Sequence, residues 1–175
     1  LQDPLLGEVL DYDRFVLSEL IDTPAGFRDL ATFNGALHAE LKVQHTGANH
    51  ALEQSMRGGI QTENNLFQNP TGLVAVLKQQ ITRTIDRFIE RLPDSSEHPF
   101  LRFKPAGYVF TGAWSTILNQ AGYDGSHIHN EGWLSGTYYV AIPDLSPAQH
   151  AAQEGYLQFG EPPRLHASER NNTVR

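Results

Sequence analysis

Apolar residues recur at intervals of three and four along two stretches in the first half of the chain, and this spacing predicts two amphipathic helices. The first is predicted over about 18 residues. It follows Thr23 and Pro24, a pair typical of an N-cap with proline at the first helical position. Its buried face is predicted to consist of Phe27, Leu30, Asn34, Leu37 and Leu41. His38 lies beside this face and is expected at the edge of the core rather than in a ligand site.

The second helix has the clearer periodicity. Thr71 and Gly72 begin it, and the Pro-Asp-Ser-Ser run from Pro93 ends it. Its apolar face is predicted to contain Leu73, Leu77, Ile81, Ile85, Phe88 and Leu92. Because both helices are apolar on one face only, each needs an apolar surface to cover, and a sheet supplies one.

After Pro99 the pattern changes to short runs of aromatic and β-branched residues separated by Gly, Pro or Asn, which predicts strands. The predicted strands are residues 100–103, 108–110, 114–118, 134–142 and 156–159. Helices followed by such strands predict an α+β fold with an antiparallel sheet. We therefore expect one domain over residues 1–175, with helical support and a loop in residues 1–98 and strands in residues 99–175.

Two stretches show no helical period. Residues 1–20 alternate short apolar runs with acidic residues, which predicts an edge strand or a lead-in segment. Residues 46–70 are rich in Gly, Asn, Gln and Thr, and a loop of this length is either functional or contains an unrecognised element. In this loop Gln61 and Thr62 are candidates for closing over a pocket, although a plain loop explains them equally well. His45 and His50 are predicted to be solvated.

Charge and composition narrow the possible partners. The chain has 175 residues, a formal net charge of −7 and no cysteine. Nucleic acids and anionic membranes attract basic patches, so neither is an expected partner. No apolar run approaches the roughly 20 residues of a membrane-spanning helix, and the first residues do not resemble a signal peptide. The absence of cysteine excludes disulfides and thiolate metal sites and fits a reducing compartment, so we expect a cytoplasmic location. The sequence begins without an initiator Met, so we expect a piece of a longer polypeptide.

A candidate metal site lies just before the predicted strand 134–142. His127 and His129 are one residue apart, and side chains at such spacing in extended backbone point to the same side. Glu131 joins them if the extension continues that far. Imidazole and carboxylate groups together suit Fe, Mn or Zn. Two histidines near Gly and Asn are also compatible with a polar loop, but their position at the lip of a sheet favours a metal.

The run from His127 to Pro143, together with residues 154–163, resembles the 2-oxoglutarate/Fe(II)-dependent oxygenase family, whose members often follow tetratricopeptide repeats. Residues 58–62 and the pair Trp114 and Ser115 resemble the same family, so the likeness extends over most of the chain. The resemblance implies a double-stranded β-helix, or jelly roll, with helices packed on one sheet. About five strands are predicted where a closed jelly roll has eight, so we expect the last strands to be missing.

The resemblance also implies roles for individual residues. His127 matches the first metal ligand, whereas the second ligand is either His129 or Glu131, and we favour His129. Tyr138 and Ser135 are candidates for binding the co-substrate. The third ligand and the basic residue that pairs with the co-substrate are expected beyond residue 175. Other candidate donors are Asp144, His150, Glu154, Glu161, His166 and Glu169.

The function implied by this resemblance is that of a dioxygenase that requires Fe(II) and 2-oxoglutarate and hydroxylates a protein side chain or a small metabolite. The alternative is a non-catalytic jelly-roll module that binds a metal or another ligand, or that serves as an interaction domain. An incomplete sheet leaves strand edges without partners, and such edges favour association. A homodimer is therefore a further expectation.

Overall fold

The computed structural model describes residues 4–45 and 55–160 and shows an α+β chain, as predicted. The elements, in order, are α1 Pro4–Val9, α2 Tyr12–Phe15, α3 Leu30–Lys42, β1 Met56–Gln61, α4 Gly72–Arg91, a 3-10 helix Leu101–Phe103, β2 Thr116–Asp124 and α5 Pro147–Ala151. The chain divides into two compact units, Leu1–Phe33 with Phe67–Thr111, and Asn34–Leu66 with Gly112–Arg175. The predicted single domain of residues 1–175 stays a prediction.

The second predicted helix is confirmed as α4, with Thr71 in extended backbone at its N-cap. Leu77, Phe88 and Leu92 of the predicted face are buried, and so is Val74 beside that face. The helix ends where the Leu92 N–H bonds the Ile89 carbonyl, immediately before proline. Proline cannot donate a backbone hydrogen bond and disfavours helix at the residue before it, so the end of α4 is set locally.

The first predicted helix is present but begins later than expected. Gly26 has a φ of +89°, and the Phe27 N–H closes a turn onto the Pro24 carbonyl, so these residues cannot be helical. Asp29 caps α3 instead, because its Oδ1 accepts the backbone N–H of Thr32 over 2.8 Å. The predicted start at Thr23 and Pro24 was therefore wrong. Of the predicted face, Leu37 and Leu41 are buried, and Phe33, which the prediction left out, is buried beside them. His38 is exposed rather than at the core edge.

Residues 4–20 contain two short helices and no strand, so the edge strand considered for this stretch was wrong. The Leu10 N–H bonds the Leu6 carbonyl at the end of α1. Asp11 then caps α2 by accepting the Arg14 N–H over 3.2 Å. In a strand, the backbone N–H and C=O groups of this stretch would need a neighbouring strand as their partner. Here local hydrogen bonds satisfy them instead.

The sheet consists of β1 and β2, which are antiparallel and pair from Met56 with Asp124 to Gln61 with Thr116. β1 lies within residues 46–70, for which the sequence predicts either a functional loop or an unrecognised element. The structure shows that this stretch contains an unrecognised element, namely the strand β1. The register shifts between Arg57 and Gly59, where Gly58 has a φ of +65°. A bulge of this kind explains why no alternation of apolar residues marks β1 in the sequence.

Most of the other predicted strands are absent from the described residues. The run 114–118 overlaps β2, but residues 108–110, 134–142 and 156–159 follow irregular backbone. The run 100–103 includes the 3-10 helix, so these four strand predictions were wrong. An apolar run becomes a strand only beside a hydrogen-bonding neighbour, which periodicity cannot reveal. The described sheet has two strands, and the jelly roll stays a prediction.

His98 shows how local bonding takes precedence in the run 100–103. Its Nδ1 accepts the backbone N–H groups of Phe100 and Leu101, each over 3.1 Å, and its Nε2 donates to the Glu8 carbonyl over 3.3 Å. His98 is 9% exposed, so these hydrogen bonds satisfy backbone groups with little access to water. The backbone at residues 100–101 is thereby folded into a turn instead of extended.

The unit that contains α4 has an open groove of about 560 Å³. It is lined by Phe67, Gln68, Lys78, Thr82, Asp86, Tyr108, Val109 and Phe110. Its polar groups bond one another: Lys78 donates to the Phe67 carbonyl over 2.8 Å, and the Tyr108 hydroxyl donates to Asp86 over 2.9 Å. Burial and the neighbouring Asp86 carboxylate raise the pKa of Tyr108 to about 12. The phenol therefore stays neutral and acts as a donor.

No helix among residues 4–45 and 55–160 is both long and apolar enough to cross a bilayer. This agrees with the lack of any long apolar run in the sequence.

Candidate metal centre

The His-x-His pair lies immediately after β2, and backbone hydrogen bonds hold the end of that strand. Asp124, the last residue of β2, pairs with Met56 of β1. The next N–H, from Gly125, donates to the Ser55 carbonyl over 3.0 Å. His127 follows two residues later, so its backbone leaves directly from the ladder of the sheet.

One ring nitrogen of His127 forms a hydrogen bond with the backbone two residues earlier. Nδ1 lies 2.7 Å from the carbonyl oxygen of Gly125. A carbonyl oxygen can only accept, so the short contact assigns a proton to Nδ1. In the neutral imidazole this leaves Nε2 with its lone pair available. Histidines that bind metals generally donate their other ring N–H in this way, which fixes the tautomer and the ring orientation.

The two imidazoles converge, as their spacing predicts. Nε2 of His127 and Nε2 of His129 are 3.1 Å apart, and the rings are 4.8 Å apart between centroids at an angle of 78°. Two nitrogens each about 2.1 Å from one metal ion are separated by about 3.0 Å at a right angle and about 3.4 Å at a tetrahedral angle. The observed distance lies between these values. It also suits a hydrogen bond from His129 to His127 while no cation is bound.

Glu131 does not continue the extended backbone of the histidines. The chain turns at Asn130 and Glu131, and the Gly132 N–H returns to the His129 carbonyl over 3.3 Å. Among the described residues no group of three His, Cys, Asp or Glu side chains is placed to hold a metal. The pair thus supplies two imidazole donors but no carboxylate from this part of the chain. Glu131 as a ligand stays a prediction.

Asp124 also lies close to the His127 ring. Its Oδ1 is 3.7 Å from Nδ1, the nitrogen that faces the Gly125 carbonyl. The carboxylate adds negative charge near the imidazole, which favours a cation there. Two converging imidazoles with a carboxylate nearby therefore form the candidate metal site among the described residues.

Comparison with known protein families identifies the segment that carries this pair. A model of the family described as "Putative 2OG-Fe(II) oxygenase" matches residues 112–175. Over this range the resemblance to the oxygenase family is confirmed. The matched range includes both histidines and Glu131, and it covers a little over a third of the chain. Residues 58–62, for which the sequence also predicted a resemblance, lie outside it, so that part of the resemblance stays a prediction.

Two further comparisons give no relative. No curated protein matches the chain, and no solved structure does.

Tyr138 and Ser135, the residues predicted to bind the co-substrate, differ in their surroundings. Tyr138 is half-buried, and its hydroxyl donates to Oδ1 of Asn34 in α3 over 2.6 Å. Burial raises the pKa of Tyr138, and the hydrogen bond with Asn34 opposes that rise. Tyr139, its neighbour, is 45% exposed, and Ser135 is also exposed. In this arrangement the Tyr138 proton is already committed to Asn34, and both co-substrate roles stay predictions.

The remaining candidate donors of the oxygenase segment are spread out. Asp144, His150 and Glu154 are exposed. His150 Nδ1 lies 3.3 Å from the Tyr156 hydroxyl, and Glu154 accepts a hydrogen bond from Gln149 over 2.9 Å. These hydrogen bonds join residues that are close in sequence and do not involve the His127 ring. The last three candidates, Glu161, His166 and Glu169, lie outside the described residues.

A second polar cluster near the sheet is not evident from the sequence. Nε2 of His45 lies 3.1 Å from the Ser115 hydroxyl, and the Ser115 N–H donates to Thr62 Oγ1 over 3.0 Å. The Thr62 N–H in turn donates to the Ser115 carbonyl over 2.9 Å. His45 is half-buried and Thr62 is 5% exposed, so the solvated position predicted for His45 was wrong. His50 lies outside the described residues.

We expect His45 to make the stability of the fold sensitive to acid. Burial lowers its pKa below the ordinary value, so the folded state favours the neutral ring. The stabilising contribution is present above the unfolded pKa of about 6.5 and is lost as the pH falls through the folded pKa, since only the unfolded chain binds the proton readily. We expect His45→Gln to reduce the loss of stability between about pH 7.5 and pH 5, measured as the shift in the urea midpoint.

The matched control for this prediction is His38→Gln, because His38 is exposed on α3. That variant should show the same acid dependence as the unmodified chain. An equal acid shift in His45→Gln and in the unmodified chain would exclude His45 as the source.

Proposed function

We propose that this chain carries the metal-binding part of a dioxygenase that depends on Fe(II) and 2-oxoglutarate, with His127 and His129 as metal ligands. The observation that carries the proposal is the convergence of their Nε2 atoms to 3.1 Å. The hydrogen bond from His127 Nδ1 to the Gly125 carbonyl supports it, because that bond leaves Nε2 free for a metal. The match of residues 112–175 to the oxygenase family favours Fe(II) over other cations that imidazole accepts.

The donor set fits the proposed metal in part. Oxygen-activating Fe(II) sites use two histidines and one carboxylate on one face, and they leave the remaining positions for co-substrate and O2. His127 and His129 match the two imidazoles, and the carboxylate is either Glu131 after a local rearrangement or a residue outside the described ranges. The bound iron and co-substrate would supply the oxidation, with 2-oxoglutarate converted to succinate and CO2.

The wider features of the proposal follow from the same family. A jelly roll would enclose the metal, and Tyr138 and Ser135 would contact 2-oxoglutarate. The hydroxylated substrate would be a protein side chain or a small metabolite. A nucleic-acid or membrane partner is disfavoured by the net charge of −7. A homodimer and a cytoplasmic location complete the proposal.

A second candidate is a non-catalytic module that binds a metal or another ligand, or serves as an interaction domain. The observation in its favour is that the described residues hold only two converging donors. Large apolar side chains are also exposed near them, such as Ile128 at 73% and Trp114 at 46%. Exposed apolar residues that lie close together are typical of contact surfaces. A module of this kind would bind a cation without turning over 2-oxoglutarate.

The two candidates are separated by adding 2-oxoglutarate to the chain with Fe(II) under anaerobic conditions. The dioxygenase should give a visible charge-transfer band that depends on both components, because the keto acid chelates the iron. Succinate, which lacks the keto group, is the matched ligand control and should give no band. Admission of O2 should then produce succinate in proportion to the 2-oxoglutarate consumed. Metal binding with no band, and no succinate after O2, would favour the module.

A further inference from the structure

We propose that Trp114 is a positioning residue that holds the His129 ring in its metal-binding orientation, and that Gly112 provides the space for the indole. The inference rests on the proposed function, because it concerns how the second imidazole of that site is held. Its evidence is nevertheless independent of the family match, since it consists of contacts among Gly112, Trp114 and His129.

The indole packs against the second imidazole of the pair. The ring centroids of Trp114 and His129 are 5.6 Å apart, and the planes are tilted by 40°. The His129 ring also contacts His127, at a centroid distance of 4.8 Å and an interplanar angle of 78°. His129 therefore contacts two aromatic rings. His127 is oriented by its hydrogen bond to the backbone, and for His129 the indole contributes the corresponding restraint.

Gly112 brings the indole into this position. A Cβ atom at residue 112 would lie 2.9 Å from Cζ3 of Trp114, which is closer than carbon atoms approach without a shift. The indole thus folds back over the backbone of Gly112, and any larger residue there would push it away. Because the indole faces His129, that displacement would move the support of the imidazole.

The backbone on both sides of Trp114 is fixed, so the indole projects from a rigid base. Ala113 accepts the Leu66 N–H over 2.7 Å and donates its own N–H to Asn65 Oδ1 over 3.1 Å. Ser115 exchanges two hydrogen bonds with Thr62, as described above. Trp114 lies between these two anchors and just before β2, the strand that leads to His127. One short segment therefore positions both imidazoles.

Trp114 is 46% exposed, which agrees with a role beyond filling the core. A large apolar ring that is half exposed contributes only part of the hydrophobic stabilisation that full burial would give. The indole contacts the His129 ring, which is itself exposed, and limits the orientations that this ring can take. A preorganised ligand binds a metal more tightly, because less rotational freedom is lost on binding.

The first test compares the affinity for Co²⁺, added alone as a spectroscopic substitute for Fe(II), between the unmodified chain and Trp114→Ala. The loss of a residue that orients a ligand generally costs about 10- to 100-fold in metal affinity. We therefore expect the dissociation constant of Trp114→Ala for Co²⁺, measured by visible absorption, to be about tenfold larger than that of the unmodified chain. Trp114→Phe keeps an aromatic ring on His129 and should bind within about threefold of the unmodified chain. Gly112→Ala should weaken binding in the same direction as Trp114→Ala. Equal affinities for all four chains would overturn the inference.

A second test leaves the site intact and does not depend on the folding of Trp114→Ala. The chain has two tryptophans, so Trp133→Phe leaves Trp114 as the only one. We expect bound Co²⁺ to quench the fluorescence of this variant strongly, with the same midpoint as the visible absorption. Trp114→Phe, in which Trp133 remains, should be quenched less. If Co²⁺ binds by absorption but leaves Trp114 unquenched, the indole is not beside the metal and the inference is wrong.

Failure of the inference can be distinguished from failure of the proposed function. If Co²⁺ binds with equal affinity to the unmodified chain and to Trp114→Ala, the inference fails while the metal site stands. If the unmodified chain binds no Co²⁺, the metal site fails, and with it the role of Trp114.

Discussion

Replacing His127 with alanine abolishes the binding of a divalent metal to the full chain, measured with Co²⁺ by calorimetry and visible absorption. The expected loss exceeds the roughly 10- to 100-fold that follows from removing an outer partner of a ligand, because a direct donor disappears. The reason lies in the geometry of the ring: Nδ1 is bonded to the Gly125 carbonyl, and Nε2 faces His129 at 3.1 Å.

The control is His150→Ala, which removes an exposed imidazole whose Nδ1 lies 3.3 Å from the Tyr156 hydroxyl. It should bind Co²⁺ as the unmodified chain does. Undiminished binding by His127→Ala would remove this residue from the metal and would remove the main support for the dioxygenase.

The same assay decides between His129 and Glu131 as the second ligand. The structure brings His129 to His127 and turns the chain at Glu131, so His129→Ala should reduce Co²⁺ affinity far more than Glu131→Gln does. The Glu131 substitution keeps the shape of the side chain and removes only its charge. A larger loss in Glu131→Gln would mean that the ligand set is shifted by two residues along the chain.

How far the sequence predicts the fold depends on whether an element is defined locally. α4 is predicted well because its capping residue, its apolar face and the proline after it all lie within one segment. α3 is predicted with the wrong start, since the positive φ of Gly26 and the cap at Asp29 outweigh the Thr-Pro signal. The correct prediction of α4 and the wrong start of α3 both follow from short-range hydrogen bonds.

The sheet is less predictable, because a strand depends on a partner that is distant in sequence. β1 pairs with β2 across about 60 residues, and its bulge at Gly58 removes the alternation on which a strand prediction relies. The run 134–142 has strong strand propensity but no neighbouring strand in the described chain. Propensity measures how well a residue fits a sheet and does not supply the sheet.

In the candidate site, too, features that depend on nearby residues are predictable, and features that depend on distant residues are not. The convergence of His127 and His129 could be predicted, because spacing by two residues is a local property of extended backbone. The contributions of Trp114 and Gly112 could not, since nothing in the sequence links residue 114 with residue 129. The environment of His45 was missed for the same reason, because its partner Ser115 is 70 residues away.

The largest effect on stability is expected for Phe33→Ala. Phe33 is completely buried near the start of α3, and its ring meets that of Phe27 edge to face at a centroid distance of 5.2 Å. Removing a buried phenylalanine ring loses its transfer free energy and leaves a cavity, which together cost about 3–5 kcal/mol. The cap that Asp29 provides for α3 does not depend on the ring, so the loss should come from packing alone.

The matched control is Phe103→Ala, which makes the same substitution at a side chain that is 61% exposed. Its ring lies under the guanidinium of Arg102 at 4.6 Å, a contact that contributes about 0.5–1 kcal/mol at an exposed site. Urea unfolding followed by circular dichroism should therefore separate the two variants by at least about 2 kcal/mol in the free energy of unfolding. Similar unfolding free energies for both variants would show that the Phe33 pocket collapses around the missing ring, and that the start of α3 does not organise the core.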